Sequence, residues 1–211
     1  TLVITAPPVS MSGNYYRCVI TGAAPCGSVA SFQARLTVNP LPTVVIAANP
    51  YLRLMPGLST TLTSTVSPNA AQQYNWLRNG ANVGGNTATH TVTVDALGDY
   101  SLRVTDVNGC TNTSNTISIR DSVSSRCFIY PNPSYGRFEV RYYSVLNNSA
   151  LPRTVTVYDT RGERVLTQRY SIGQPYDKME VDMRKYAKGL YWVEIGDANG
   201  NRLSMCRIVI Q

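Results

Sequence analysis

The chain has 211 residues and a formal net charge of +7, a length that corresponds to one to three domains. Only 15% of the residues are charged, against about 25% in an average soluble protein, and strand- and turn-forming types such as Thr, Val, Tyr, Asn and Gly dominate. No apolar run of about 18 residues is present, so the sequence predicts no membrane-spanning helix. One His and five Cys leave little material for a metal or cofactor site, and we expect neither. The composition favours an all-β, non-cytosolic protein that is not an enzyme.

The chain begins with an incomplete copy of a repeat. A motif that runs from Tyr16 to Cys26 recurs 84 residues later at 100–110 with the same ten-residue spacing. The second copy is complete over 41–120 and starts after a proline-rich joint, whereas the first, 1–40, is a stub of about three strands. We therefore expect that the sequence begins inside a domain. Half of a sandwich cannot bury its inner face, so we expect this stub to be poorly stable without a partner.

The complete copy reads as strands throughout. Period-two alternation of apolar and polar residues predicts five strands, at 43–46, 60–66, 73–77, 90–94 and 100–105. Trp76 and Tyr100 resemble the buried tryptophan and the tyrosine corner of immunoglobulin-like sandwiches, so we expect Trp76 to be buried. Leu102 occupies the place of the second core cysteine, and the inter-sheet disulfide is missing. Residues 1–120 resemble bacterial Ig-like adhesin repeats.

The charge pattern changes after this module. Residues 1–121 contain six Arg, four Asp, no Lys and no Glu, a net charge of +2, whereas residues 122–211 contain ten Arg, three Lys, four Asp and four Glu, a net charge of +5. Such a step indicates two kinds of module joined by a polar linker over 121–126. The linker consists of Asp121, Ser122, Val123, Ser124, Ser125 and Arg126.

The last 85 residues, 127–211, contain a series of ordered turns and strands. A short strand ends at a Pro-Asn-Pro turn, where the prolines fix φ and remove backbone donors, and Gly136 permits the bend into an alternating strand. A hairpin with Asp159 and Gly162 in its turn follows at 155–165. Further strands are predicted at 179–183, 186–195 and 202–210.

In order, spacing and terminal position, these elements resemble the type A C-terminal sorting domain of the type IX secretion system of Bacteroidetes. The residues that carry the resemblance are Pro131, Asn132, Pro133, Gly136, Phe138, Asp159, Gly162, Gly189, Tyr191, Arg207 and Val209. The resemblance implies a seven-stranded Ig-like β-sandwich that acts as an export address and has no catalytic role. The fold class expected for the whole chain is therefore all-β, with tandem Ig-like sandwiches followed by this domain.

The same resemblance implies the partners and the location. They are an outer-membrane β-barrel shuttle protein, the translocon, a sorting peptidase that cleaves in the linker, and anionic lipopolysaccharide; no nucleic acid is expected. The protein would cross the periplasm and reach the cell surface. The leading hypothesis is an adhesin-like cargo protein. The alternatives are the stalk and sorting tail of a secreted hydrolase, and a carbohydrate-binding Ig-like module, which would require an exposed Trp76.

Several side chains have more than one interpretation. The final strand carries apolar residues on both faces, which suits either a partner or an enclosing loop. Arg161, Arg164 and Arg169 form either an acidic-partner or lipopolysaccharide site or a solvated positive face. His90, alone on a strand, is expected to face solvent. Acidic residues that allow a glycosidase interpretation are better explained by turns and strand surfaces; they are Asp159, Glu163, Asp177, Glu180 and Asp182.

The five cysteines are an odd number, so at least one lacks an intramolecular partner. First and last strands of a sandwich commonly lie side by side, which allows a disulfide between Cys127 and Cys206 in the oxidising periplasm. Two reduced, buried thiols are the alternative. The pairing of Cys18, Cys26 and Cys110 stays open.

Overall fold

The computed structural model describes residues 1–146 and 150–211 and divides them between two compact units. The first unit comprises Thr1–Ala47, Thr63–His90 and Tyr100–Ile117. The second comprises Ala48–Leu62, Thr91–Asp99 and Ser118–Gln211. The domain boundaries predicted from the sequence stay a prediction.

The described residues form twenty strands and two short 3-10 turns, Val9–Met11 and Val94–Ala96, so the all-β fold class is confirmed. None of the helical segments in these residues has the length and apolarity needed to cross a membrane.

The N-terminal segment contains four short strands, one more than the sequence predicts. Strand β1 (Tyr15–Tyr16) pairs with β4 (Ala34–Arg35), and β2 (Val19–Thr21) pairs with β3 (Ser28–Ala30). Every residue of 1–40 is described, and none is buried. Phe32 is fully exposed, at 100%. The segment thus has backbone pairing but no apolar core of its own.

The middle of the chain contains the five predicted strands, four of them longer than predicted and one shifted by one residue, and four further strands. The strands are β5 (Thr43–Asn49), β6 (Arg53–Leu54), β7 (Ser59–Ser67), β8 (Ala71–Arg78), β9 (Ala81–Gly84), β10 (Thr89–Thr93), β11 (Gly98–Asp106), β12 (Thr111–Thr113) and β13 (Ile117–Asp121). They form a three-stranded sheet of order β10-β7-β5 and a six-stranded sheet of order β6-β13-β11-β8-β9, with β12 beside β11.

Trp76 is completely buried, as the sequence predicts. Its indole N–H donates to the carbonyl of Thr87 at 2.9 Å, which satisfies the one polar atom of the ring. His90 is half-buried and not solvent-facing as expected, because its ring stacks on Trp76 with centroids 5.7 Å apart and lies 5.6 Å from the ring of Tyr100. Burial, followed by the charge of Arg78, lowers the pKa of His90.

The C-terminal region forms seven strands among its described residues, the number that the resemblance implies. They are β14 (Phe128–Tyr130), β15 (Arg137–Arg141), β16 (Leu151–Tyr158), β17 (Arg164–Ile172), β18 (Met179–Asp182), β19 (Gly189–Gly196) and β20 (Arg202–Ile210). One sheet has the order β14-β15-β18 and the other the order β17-β16-β19-β20.

The core of this sandwich lies between its two sheets. Alternate residues of β15 and β19, among them Phe138, Val140, Val193 and Ile195, point into it and are at most 4% exposed. Each such side chain contributes about 1.5–3 kcal/mol of transfer free energy, so the alternation fixes which face of each strand is inward.

The structure joins Cys127 and Cys206 in a disulfide. Cys127 precedes β14, Cys206 lies on β20, and their Cα atoms are 5.9 Å apart. The two residues are 79 positions apart, so the bond closes a loop that includes almost the whole sandwich.

A long closed loop restricts the unfolded chain strongly, and the chain-entropy model gives roughly 3–5 kcal/mol for a loop of this size. We therefore expect the double variant Cys127→Ser/Cys206→Ser to unfold its C-terminal sandwich at a markedly lower urea concentration. Hydrogen exchange on β15 and β19 measures the transition. Cys110→Ser, which removes a free thiol, is the matched control and should leave it in place. Unfolding of both variants at the same urea concentration would contradict a stabilising role of the disulfide.

Candidate functional site

The Pro-Asn-Pro turn lies against the open edge of the last strand. The amide N–H of Asn132 donates to the carbonyl of Arg207 at 2.9 Å, and its Oδ1 accepts from the backbone N–H of Val209 at 3.2 Å. The side-chain amide of Asn132 thus pairs with β20 as the backbone of a neighbouring strand would. The structure brings together Asn132, Arg207 and Val209, three of the residues that carry the resemblance.

Ser134 extends this pairing, and sequence reasoning missed it. Its backbone N–H donates to Val209 at 2.8 Å, and its carbonyl accepts from Gln211 at 2.8 Å. Its buried hydroxyl donates to the carbonyl of Arg137 at 2.6 Å. A serine after a proline carries no sequence signal for such a role, because the partner strand lies more than seventy positions away.

Gly136 is required by close approach as well as by backbone conformation. Its φ is +95°, and a Cβ at this position would lie 2.9 Å from the backbone of Arg184. The chain can therefore turn here into β15, which places Phe138 in the core, where it is 4% exposed.

The remaining motif residues build turns and core. Asp159 accepts the backbone N–H groups of Arg161 and Glu163, each at 2.9 Å, and these bonds, that of Glu163 first, lower the pKa of Asp159. Gly162 completes the turn with a φ of +82°. The hydroxyl of the buried Tyr191 donates to the carbonyl of Ala187 at 2.7 Å. These residues support the fold and do not converge on a pocket.

Asp177 and Asp182 also have structural partners. Asp177 accepts the backbone N–H of Gly173 at 2.7 Å. Asp182 accepts from Arg184 at 2.7 Å and from Arg137 at 3.3 Å, and the bonds to Arg184 are the main reason that the pKa of Asp182 is well below its usual value. Within 1–146 and 150–211, no group of three His, Cys, Asp or Glu residues is arranged to hold a metal ion.

A buried arginine forms the densest charge network of the second unit, and the sequence did not indicate it. Arg141 is 5% exposed, and its two terminal nitrogens bind the two carboxylate oxygens of Asp95. Its Nε donates to Glu139 at 2.8 Å, and Lys178 lies 3.4 Å from Asp95. The hydrogen bond from Arg141 is the main cause that lowers the pKa of Asp95. Removing one partner would leave a buried charge uncompensated.

The linker 121–126 is anchored along its backbone. Ser122 donates to the carbonyl of Leu54 at 2.7 Å and accepts from the hydroxyl of Tyr176 at 2.6 Å. Burial raises the pKa of Tyr176 to about 12. Val123, the one apolar residue in the sequence of the linker, is 70% exposed.

The four-stranded sheet of the sandwich presents an open outer face. Inward, Ile208 and Ile210 are buried; outward, Met205 and Val209 are 41% and 37% exposed. Both interpretations of the final strand therefore hold in part: the turn at 131–134 covers its edge, while its outer face stays open.

The three arginines around the hairpin differ. Arg161 pairs with Asp159 and Glu163, whereas Arg164 and Arg169 lie on β17 and are exposed.

Comparisons with known proteins identify the C-terminal region. Residues 128–211 match the family model of the secretion system C-terminal sorting domain. No curated protein sequence matches the chain.

Solved structures that match the chain include fibronectin(III)-like modules of Clostridium thermocellum CbhA, with 14% identity, 79% of this chain and 94% of that chain covered, and a TM-score of 0.31. Chicken CNTN1 FN1–FN3 domains share 10% identity over 95% of this chain and 78% of theirs, with a TM-score of 0.32. Dimeric latent PorU from Porphyromonas gingivalis shares 12% identity over 88% of this chain and 23% of its own chain, with a TM-score of 0.34. TM-scores this low do not establish a shared fold or a shared function.

Asn132→Ala removes both side-chain bonds to β20. Each such bond contributes about 1 kcal/mol, so we expect the amide of Val209 to exchange its hydrogen roughly tenfold faster or more. Hydrogen exchange measured by NMR tests this expectation. Tyr135→Ala, which truncates a neighbouring side chain that is 82% exposed, is the control. Unchanged protection of Val209 in the Asn132 variant would refute the edge-covering role.

The lowered pKa of Asp95 predicts a pH-dependent contribution to stability. An aspartate with a depressed folded-state pKa stabilises the fold above its unfolded value of about 3.9, and this contribution is lost as the pH falls through the folded-state pKa. We expect Asp95→Asn to lower the Tm of the second unit at pH 7, and the difference from the wild type to shrink below about pH 4. Thermal unfolding from pH 7 to pH 3 measures it. A difference that is constant with pH would contradict the ion pair as its cause.

Proposed function

We propose, from the premise that residues 128–211 are a secretion-system C-terminal sorting domain, that this chain is the C-terminal portion of an adhesin-like cargo protein exported by the type IX system. The family match is the observation that carries the proposal. In this arrangement residues 1–120 contribute Ig-like spacer modules, and the sorting domain follows the linker 121–126. Ig-like modules and sorting domains are kinds of domain that do not carry catalytic sites.

The proposed partners are components of the type IX system and the cell surface. An outer-membrane β-barrel shuttle protein and the translocon receive the sorting domain, a sorting peptidase cleaves in the linker, and the cargo is attached to anionic lipopolysaccharide at the cell surface. The exposed side chain of Val123, between backbone anchors at Ser122 and Ser125, supports a cleavage position in the middle of the linker.

A sorting signal that is recognised in its folded state has to present one conformation to its partner. The amide of Asn132 and the disulfide of Cys206 attach the last strand at two points, so its outer side chains are held in fixed positions before any partner arrives. Preorganisation of this kind lowers the entropic cost of binding. The sandwich therefore supports recognition through a rigid surface.

The carbohydrate-binding alternative loses its main support. It requires an exposed Trp76 beside Tyr74, whereas Trp76 is completely buried.

Deletion of 127–211 tests the sorting role. We expect the truncated protein, produced in a type IX-secreting bacterium behind a cleavable export signal, to accumulate in the periplasm, because it lacks the address that the translocon reads. Fractionation and surface protease accessibility of whole cells measure the outcome. The full chain behind the same signal is the control. Normal surface delivery of the truncated protein would refute the proposal.

A further inference from the structure

The outer face of the sheet β17-β16-β19-β20 carries an ordered row of aromatic and basic side chains. Cross-strand pairing places Tyr158 opposite Trp192 and Trp192 opposite Arg207, and Arg164 faces Tyr158 across a β-bulge in which Val165 is the extra residue. Residues directly opposite each other lie on the same face with Cβ atoms about 4.5–5.5 Å apart. The row therefore runs Arg-Tyr-Trp-Arg across all four strands, with the rings in the centre.

Apolar side chains flank the row along the last two strands. Leu190 pairs with Val209 on one side of it, and Met205 lies on the other. Trp192, Met205, Leu190 and Val209 are 41%, 41%, 37% and 37% exposed. Single exposed apolar residues are ordinary, but a tryptophan with three further exposed apolar residues beside it indicates a binding surface. We call this row and its apolar flanks the outer sheet face.

The charge of this face is positive. Arg164 and Arg207 end the row, Arg169 lies further along β17, and Glu194 on β19 is the acidic residue among the outward positions of these strands. Two copies of such a face repel each other, so a second copy of this chain is a poor occupant. The complementary surface is acidic.

The spacing of the arginines separates two acidic occupants. Neighbouring strands lie about 4.8 Å apart, so Arg164 and Arg207, three strand spacings apart, are separated by roughly 14 Å at their backbones. One phosphate group cannot span that distance, and the aromatic rings of Tyr158 and Trp192, not further cationic side chains, lie between the two arginines. A protein surface with an apolar centre and carboxylates on both sides fits, since aromatic residues and Arg are the types enriched at protein interfaces.

We propose that the outer sheet face is the docking surface for an acidic, apolar-centred protein partner in the export machinery, with Trp192 as its anchor and Arg164 and Arg207 as charged ends. The proposal rests on the proposed function of the domain and assigns that function to one face. The open edge of β20 is not the contact, because Asn132 and Ser134 already occupy part of it.

The test compares two double variants of the full chain in a type IX-secreting bacterium. Trp192→Ala/Arg207→Glu alters the outer sheet face, and Tyr135→Ala/Lys188→Glu makes a comparable aromatic truncation and charge reversal outside it, at two side chains that are also exposed. Circular dichroism and Tm show that both variants are folded. We expect surface delivery to fall at least tenfold for the first variant and less than twofold for the second.

A photo-crosslinking residue at Leu190 identifies what covers the face during export. We expect a protein adduct from the outer membrane that is lost in the Arg207→Glu background and weakened at high salt. Replacing an acidic residue by Lys at the crosslinked site of that protein should restore export of Arg207→Glu, which pairs the two charges directly.

The possible outcomes are distinguishable. If deletion of 127–211 leaves export unchanged, the sorting function itself is wrong. If the deletion blocks export but both double variants are delivered normally, the sorting function stands and the docking face is wrong. If Trp192→Ala/Arg207→Glu loses binding to vesicles that contain anionic lipopolysaccharide while no protein adduct forms, the occupant is the lipid and the proposal is overturned.

Discussion

The C-terminal sandwich depends on how the edge of its last strand is satisfied. Strand β20 pairs with β19 along one side, and its other side would leave backbone donors and acceptors exposed at the end of the chain. The amide of Asn132 and the backbone of Ser134 satisfy those of Arg207, Val209 and Gln211. The disulfide at Cys206 holds the same strand further back. Strand β20 is thereby fixed although it is the last element of the chain.

Closing that edge determines which surface is left for recognition. A partner cannot add a strand along 207–211, where Asn132 and Ser134 already supply the pairing, so side chains are what this part of the strand offers to a partner. On the inner face, Ile208 and Ile210 are committed to the core. The outer face, centred on Trp192, is the part of the strand pair β19–β20 that stays open, and its fixed geometry suits an address that is read in the folded state.

The charge network around Arg141 shows a different constraint. Its guanidinium group is almost fully buried, so it needs carboxylates close by, and Asp95 and Glu139 supply them. Burial alone lowers the pKa of Arg141, but the hydrogen bonds to Asp95 and Glu139 outweigh it and raise the value. Any packing that moved Asp95 and Glu139 away from Arg141 would leave its charge buried without a partner. The network therefore disfavours alternative arrangements of the surrounding residues.

The sequence by itself determined the all-β class, the alternation that turns Phe138 inward, and the turns at Gly136 and Gly162, because these depend on neighbours within a few positions. It also indicated the sorting domain through motifs in a fixed order. Only the tertiary structure decided that Asn132 pairs with β20, that Ser134 continues this pairing, that Arg141 binds Asp95, and that His90 stacks on Trp76. Each of these contacts joins residues far apart in the chain, and local patterns of polarity contain no information about which distant groups the packed sheets bring together.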